Sequence, residues 1–173
     1  MSVFFVFTDG SVNTTTKVGV GACLVLDSLS TPIAQLEKNI HTIRFENTSS
    51  TVLELQTVLW VLENIHSASP FEHSGGSASE ILKHKITLYT DSQNIVGLPG
   101  RRERLETRNY YNVKQQKLKN WALYKKFYGY LDCCDIDIVK VEGHMPALQR
   151  NSIDEIFSLV DNAARTGLRG IGC

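Results

Sequence analysis

The sequence predicts one α/β domain over residues 1–173, built on a five-stranded mixed sheet with helices on both faces. Three observations predict this class. Three β-prone segments come first with short connections between them, which indicates a three-strand antiparallel meander. Two further strands follow, each preceded by a stretch with helical periodicity, which favours crossovers and parallel pairing. The length of 173 residues is sufficient for a substantial core.

The first three strands are predicted over Val3–Thr8, Val18–Leu26 and Ile33–Ile43. The first is an apolar run, the second contains small residues that allow close approach, and the third alternates in part. The first strand runs directly into Asp9-Gly10, and such a pair on its own most often forms a hairpin turn. The aspartate also lies at the carboxyl end of a buried strand, where open α/β sheets place their ligands.

Helices and strands alternate in the remainder of the chain. An amphipathic helix is predicted over Val52–His66, and a strand over Ile86–Thr90 leads into Asp91. The helix that begins there is predicted to be interrupted by three helix breakers, Gly97, Pro99 and Gly100. The later elements are a helix, a strand and a helix, predicted over Val113–Leu131, Ile136–Val141 and Ile153–Leu168.

Composition excludes several classes of protein. The apolar share of 42% and the charged share of 21% are ordinary for a globular domain. No apolar run approaches the roughly 20 residues of a membrane span, and no basic segment precedes Val3–Phe7, so we expect a cytoplasmic protein without a signal peptide. The cysteines form no CxxC pair, which argues against zinc and favours reduced thiols. Residues 67–80, rich in serine, are predicted to be a surface-loop insertion.

Charge is unevenly distributed along a chain that is neutral as a whole. Residues 101–126 hold nine basic and two acidic side chains, so this segment carries +7 and the rest of the chain −7. The asymmetry favours an anionic partner, although a solvated helix face would have the same composition. No feature of the sequence indicates self-association, and a monomer is expected.

Acidic side chains are predicted to meet at one edge of the sheet. Asp9 and Asp91 end two strands expected to be parallel neighbours, and Glu54 begins the helix that precedes the second of them. Each acid alone has a structural alternative: Asp9 could belong to a turn, Asp91 could be a helix N-cap, and Glu54 could belong to a capping box. Crowded carboxylates repel unless cations neutralise them. Such oxygen-rich clusters suit Mg²⁺ or Mn²⁺, and a pair of these ions can promote phosphodiester hydrolysis.

Four blocks of the sequence together resemble the type 1 ribonuclease H family over essentially the whole chain. They are Phe7-Thr8-Asp9-Gly10-Ser11, Glu54-Leu55, Tyr89-Thr90-Asp91-Ser92-Gln93, and Val141-Glu142-Gly143-His144 followed by Val160–Arg165. The resemblance implies the RNase H-like fold and an endonuclease that cuts the RNA strand of RNA/DNA hybrids to leave 5′-phosphomonoesters. It also implies two Mg²⁺ ions as cofactors, with Mn²⁺ as a substitute.

The resemblance implies roles for individual residues. The metal ions would be held by a fourth acid together with Asp9, Glu54 and Asp91, and His144 would assist proton transfer or product release. The fourth acid is Asp161 if the block Asp161–Arg165 is aligned without gaps, and Asp154 if positions are counted from His144. The residues implied to contact the hybrid, the last four through its DNA-strand phosphates, are Gly10, Ser11, Ser50, Thr51, Gln93, Arg101, Arg102, Lys114 and Lys117.

One departure from the family keeps other functions open. Ser49-Ser50-Thr51 precede Glu54, where the family commonly has Asn-Asn to touch the hybrid. One alternative is therefore a non-catalytic nucleic-acid-binding module on the same fold. A second is another nuclease of this fold, such as an integrase or a Holliday-junction resolvase, although these usually lack the loop of His144 and the basic segment.

Overall fold

The computed structural model describes residues 3–67, 85–142 and 146–171, and it confirms the predicted fold class. The strands are β1 (Val3–Asn13), β2 (Val18–Leu26), β3 (His41–Phe45), β4 (Lys85–Thr90) and β5 (Asp135–Lys140). The helices are α1 (Ser50–Ser67), α2 (Gln93–Val96), α3 (Leu98–Thr107), α4 (Trp121–Cys133) and α5 (Ser152–Ile171).

β1 is the central strand of a sheet with the order β3-β2-β1-β4-β5. It pairs antiparallel with β2, which pairs antiparallel with β3, and these three form the predicted meander. On its other side β1 pairs parallel with β4, which pairs parallel with β5. Residues of α1 to α4 share a core with one face of the sheet, and α5 packs on the opposite face. None of the described helices is both long and apolar enough to cross a membrane.

The third strand was predicted wrongly over Ile33–Ile43. Two short 3₁₀ turns occupy Ile33–Gln35 and Glu37–Asn39, and pairing with β2 begins only at His41. Pro32 starts the first turn with its restricted backbone. Leu36, fully buried between the turns, accounts for the apolar signal that resembled a strand.

The helix predicted over Val113–Leu131 begins eight residues later, at Trp121. The preceding segment is folded as a loop around Asn112, whose side-chain oxygen accepts hydrogen bonds from the amides of Lys114 and Gln116 at 2.8 and 3.0 Å. Gln115 has a left-handed backbone, which no helix tolerates. Local bonding of this kind by an asparagine side chain competes with helix formation and was not apparent from apolar spacing.

Another helix, α3, was missed because helix breakers stand at its start. Gly97 does separate α2 from α3, as predicted, but Pro99 and Gly100 lie in the first turn of α3. Proline is tolerated there because the first amides of a helix have no intrahelical acceptor. The predicted insertion at residues 67–80 lies outside the described residues, apart from Ser67, which ends α1.

Glycine on β2 lets α1 lie close to the sheet. A Cβ atom at Gly21 would stand 2.1 Å from Oγ1 of Thr57, a fully buried side chain whose hydroxyl donates to the Leu53 carbonyl. We expect Gly21→Ala to lower the free energy of unfolding by about 1–3 kcal/mol, because the new methyl group and the Thr57 side chain would overlap and neither has room to move. Urea unfolding measures the change.

The matched control for this substitution is Gly129→Ala on α4. A Cβ there would meet no atom within 4 Å, so alanine should raise stability by about 0.5–1 kcal/mol through its helix propensity. Equal effects at the two glycines would contradict the close approach of α1 to β2.

Candidate active site

β1 and β4 bring two aspartates level with one another. Phe7 pairs with Tyr89 in parallel register, and Asp9 and Asp91 each lie two residues beyond that pair. Because side chains two apart on a strand share a face, Asp9 points to the side of the sheet that carries Phe7 and is covered by α5. The rings of Phe7 and Tyr89 stack with centroids 4.6 Å apart and form an apolar base beneath the carboxylates.

α5 supplies a third carboxylate to this group. The side chain of Asp161 hydrogen-bonds that of Asp9, and its Oδ1 lies 2.7 Å from Nε of Arg165. Val160 and Ala164 precede these two residues on the helix and are fully buried against the sheet. Packing of the helix therefore fixes where Asp161 meets Asp9.

Asp154, the other candidate for the fourth acid, starts the helix instead. Its Oδ2 accepts a hydrogen bond from the Asn151 amide at 3.0 Å, and the Asp154 amide donates to Asn151 Oδ1 at 2.9 Å. This reciprocal pair satisfies amides that would otherwise lack partners at the helix start. Of the two acids, Asp161 is the one placed against Asp9.

Glu54 reaches the same acids from α1, on the opposite face of the sheet. The acid cluster thus consists of Asp9, Glu54, Asp91 and Asp161. Ser92 Oγ donates to Glu54 Oε2 at 2.5 Å, and Ser50 Oγ donates to Oε1 at 3.4 Å. The same Ser92 hydroxyl caps α2 by accepting from the Ile95 amide at 3.3 Å. The N-cap residue of α2 is thus Ser92 and not Asp91. The Glu54 carboxylate accepts hydrogen bonds from two serine hydroxyls instead of forming a capping box.

Burial and neighbouring charge make full ionisation of the cluster unfavourable. They raise the pKa of Asp9 from 3.8 to about 8, with loss of hydration as the largest cause and the charge of Asp91 as the next. Asp161 adds to the rise, and a hydrogen bond from the Gly10 amide opposes it. Burial, with the charge of Asp91, also raises the pKa of Glu54 against the hydrogen bonds from its serine partners.

The free energy of unfolding of the metal-free protein should therefore fall as pH rises from about 4 to about 8. Over this interval native Asp9 holds a proton that the unfolded chain has lost. Each pH unit therefore lowers the free energy of unfolding by up to about 1.4 kcal/mol, and the decrease ends above about pH 8. Urea unfolding in EDTA across this range measures the slope. The difference between wild type and Asp9→Asn isolates the contribution of Asp9, and a pH-independent difference would contradict the raised pKa.

The donor set of the cluster suits divalent cations with oxygen ligands. All of its ligating groups are carboxylates, which Mg²⁺ and Mn²⁺ prefer over zinc-type nitrogen and sulfur ligands. A cation would also relieve the unfavourable ionisation of Asp9. The acids interact in pairs, and within the described residues no three His, Cys, Asp or Glu side chains are grouped closely enough to hold a metal ion.

Comparison with known proteins gives the family of the chain. A sequence model of the RNase H family matches residues 1–168. The chain belongs to the RNase H family. No curated protein matches it. Among solved structures it is similar to LC9-RNase H1, a type 1 RNase H with the type 2 active-site motif, with 18% identity and a TM-score of 0.66 over 98% of this chain and 73% of that chain.

Two viral structures are also similar to this RNase H family member. The PFV RNase H domain has 17% identity and a TM-score of 0.66, covering 95% of this chain and 92% of that chain. A foamy viral protease–reverse transcriptase in complex with RNA/DNA hybrid has 14% identity and a TM-score of 0.64, covering 95% and 19% respectively. At these identities the similarity establishes the shared fold.

Gly10 also has a structural role. A Cβ at this position would come within 2.9 Å of the Leu53 side chain, so the missing side chain makes room for α1. Ser11 is half-buried and lies on β1 two residues beyond Asp9, on the same face. Both residues thus lie beside Asp9, Gly10 through its amide and Ser11 on the same face of β1, and their contact with substrate stays a prediction.

Three of the predicted substrate contacts are exposed next to the carboxylate of Glu54. Ser50 and Thr51 lie in the first turn of α1, one turn before Glu54, and Ser50 reaches that carboxylate. Gln93 is the first residue of α2 and follows Ser92 directly. These side chains form a polar rim on the side of the cluster that Glu54 provides.

Two arginines predicted to bind phosphate are bound to other parts of the protein. Arg101 donates from Nη2 to the backbone and side-chain oxygens of Asn94 at 2.6 and 2.7 Å. Arg102 donates from both terminal nitrogens to the carboxylate of Asp132, at 2.6 and 2.8 Å, and so ties α3 to α4. Both guanidinium groups thus stabilise this helical segment, and their contact with substrate stays a prediction.

The predicted lysine contacts lie in the loop between α3 and α4. Lys117 holds its ammonium 3.9 Å from the ring centroid of Trp121 and 5.6 Å from that of Tyr111, in cation–π contact with both. Lys114 is exposed in the turn built around Asn112. Trp121 itself packs partly against the core, which agrees with the packing role expected of an aromatic residue on a helix.

Sequence reasoning gave no role to two residues that contact the acids. Ser92 and Arg165 both lie inside the blocks that carry the family resemblance, so a signal was present. Their partners could not be read from the sequence, because Ser92 meets Glu54 across 38 positions and Arg165 is one helical turn from Asp161. The predicted catalytic residue His144 lies outside the described residues.

Proposed function

We propose that this RNase H family member is a metal-dependent endoribonuclease that hydrolyses the RNA strand of RNA/DNA hybrids. The observation that carries the proposal is the interaction of Asp9 with both Asp91 and Asp161. Asp9 on β1 thus interacts with one carboxylate that follows β4 and with one on α5. Glu54 interacts with Asp91 and adds a fourth carboxylate from α1.

Two divalent ions, Mg²⁺ with Mn²⁺ as a substitute, would be held by the four carboxylates of Asp9, Glu54, Asp91 and Asp161. When bound, such ions lower the pKa of the attacking water and stabilise the leaving oxygen. Ser92 holds the Glu54 carboxylate in one orientation through its hydrogen bond. In this proposal His144 assists proton transfer or product release, and the cut leaves 5′-phosphomonoesters.

An RNA/DNA hybrid is supported as the substrate by one of the similar structures, the foamy viral enzyme solved with such a hybrid. Ser50, Thr51 and Gln93 provide exposed polar groups beside the carboxylates, and the RNA 2′-hydroxyl is the group by which a protein distinguishes RNA from DNA. Lys114 and Lys117 would contact phosphates of the DNA strand. Such contacts should make binding weaker as salt concentration rises.

A non-catalytic hybrid-binding protein is the second candidate. The observation that favours it is Ser49-Ser50-Thr51 before Glu54, in place of the Asn-Asn that the resemblance leads one to expect. This candidate predicts salt-sensitive binding of hybrids without turnover. It also predicts that Mg²⁺ produces no heat of binding at the acid cluster.

The experiment compares four labelled substrates of one sequence, namely RNA/DNA hybrid, double-stranded RNA, single-stranded RNA and double-stranded DNA. Binding is followed by fluorescence anisotropy at two salt concentrations, and cleavage is followed on gels with Mg²⁺ or EDTA. We expect cleavage of the hybrid alone and only with Mg²⁺. Tight binding of the hybrid without cleavage would favour the second candidate, and cleavage of double-stranded DNA would point to a different nuclease of this fold.

A further inference from the structure

The acid cluster carries a cation of its own. Arg165 Nε lies 2.7 Å from Asp161 Oδ1, one helical turn away on α5. The same Asp161 side chain hydrogen-bonds Asp9, which in turn interacts with Asp91. Asp161 therefore stands between a guanidinium on one side and other acids on the other.

The position of this ion pair differs from that of an ordinary surface pair. The Asp161 side chain is 21% exposed, whereas Glu46, paired with Arg44 at 2.9 Å, is 65% exposed. Exposed pairs are screened by water and contribute little to stability. A carboxylate that is mostly shielded and has acids beside it depends more strongly on its cation. Removing Arg165 would therefore leave the Asp161 carboxylate without its cation.

The two members of the pair differ in how far they are exposed on α5. Val160 and Ala164 are fully buried, and each directly precedes one member of the pair, so the helix backbone is fixed at both positions. Asp161 is held towards Asp9, but the Arg165 side chain is 41% exposed. Arg165 is therefore the member of the pair that solvent reaches more easily.

We propose that Arg165 is a built-in counter-cation, which occupies Asp161 while no metal ion is bound and is displaced when a divalent ion binds to the cluster. The competition raises the concentration of metal ion that the site requires. Arg165 thus acts through Asp161 and lowers the metal affinity of the site. The inference rests on the proposed function, because it takes these carboxylates to be ligands of divalent ions.

The test is thermal unfolding of wild type and Arg165→Ala, in EDTA and in a series of Mg²⁺ concentrations. In EDTA the variant should melt lower by on the order of 2–4 °C, since the carboxylates lose their counter-cation. Mg²⁺ should then raise the midpoint more in the variant than in wild type, with half of the rise at a several-fold lower concentration. Calorimetric titration with Mn²⁺ should likewise show tighter binding to Arg165→Ala than to wild type.

Three controls accompany this measurement. Arg165→Lys keeps a cation and should lie between wild type and Arg165→Ala. Arg44→Ala removes an ion pair outside the cluster and should change the midpoint by the same small amount with and without Mg²⁺. In an Asp161→Asn background, Arg165→Ala should no longer change the response to Mg²⁺.

The possible outcomes separate this inference from the proposed function. An equal loss of stability with and without Mg²⁺ would mean an ordinary helix ion pair, and a smaller Mg²⁺-induced rise in Arg165→Ala would mean that Arg165 only orients a ligand. Either result would overturn the inference and leave the proposed function intact. No Mg²⁺-induced rise and no heat of binding in wild type would overturn both.

Discussion

Asp9→Asn should reduce hydrolysis of the RNA strand by at least roughly 10³-fold in saturating Mg²⁺. Asn keeps the shape of the side chain but removes the negative charge that two metal ions would share. Asp9 is the acid that interacts both with the carboxylate after β4 and with the one on α5. Single-turnover cleavage of an end-labelled hybrid measures the loss.

The same substitution should increase the stability of the metal-free protein although it abolishes most of the activity. Above pH 8 a neutral Asn avoids the cost of a buried, ionised Asp9, so the metal-free variant should be more stable than wild type by on the order of 2–4 kcal/mol. A stable but inactive variant would show that activity is lost for lack of a charge and not through unfolding. Unchanged cleavage by Asp9→Asn would rule out Asp9 as a metal ligand.

Asp161→Asn and Asp154→Ala should have very different effects on activity. Asp161 lies against Asp9, so loss of its charge should reduce cleavage by roughly 10²-fold or more. Asp154 pairs with Asn151 at the start of α5, so its removal should cost about 1 kcal/mol of stability and leave the rate nearly unchanged. Cleavage and urea unfolding are measured on both variants.

Each of these two variants is the control for the other, since both alter an aspartate on α5. If Asp154→Ala were inactive and Asp161→Asn active, the alignment counted from His144 would be correct. Equal losses of activity would indicate a general disturbance of α5. Either result would remove Asp161 as the fourth ligand.

The sheet and most of the acid cluster could be predicted from the sequence because their signals are local. Apolar runs mark the strands, and parallel pairing of β1 with β4 places the residues after Phe7 and Tyr89 at the same level. Asp9 and Asp91 must then be neighbours whatever the details of the loops. The block from Asp161 to Arg165 indicated Asp161 as one of two candidates for the acid on α5, beside Asp154, without any knowledge of the sheet.

Partners of side chains could not be predicted in the same way. The positive charge of residues 101–126 suggested phosphate binding throughout, but Arg101 and Arg102 are bound to groups in α2 and α4. The composition of a segment gives its net charge but does not show which groups each guanidinium hydrogen-bonds. The roles of Ser92 and Arg165 likewise depend on which carboxylate each one reaches, and this follows only from the packing of α1, α2 and α5.

The most direct test of the proposed function is cleavage of one hybrid with a different label on each strand. The purified protein is incubated with it in Mg²⁺ and, in parallel, in EDTA. We predict internal cuts in the RNA strand that require Mg²⁺ and leave 5′-phosphates, while the DNA strand stays intact. An RNA strand that remains whole in Mg²⁺, or is cut equally in EDTA, would contradict a metal-dependent ribonuclease built on Asp9, Glu54, Asp91 and Asp161.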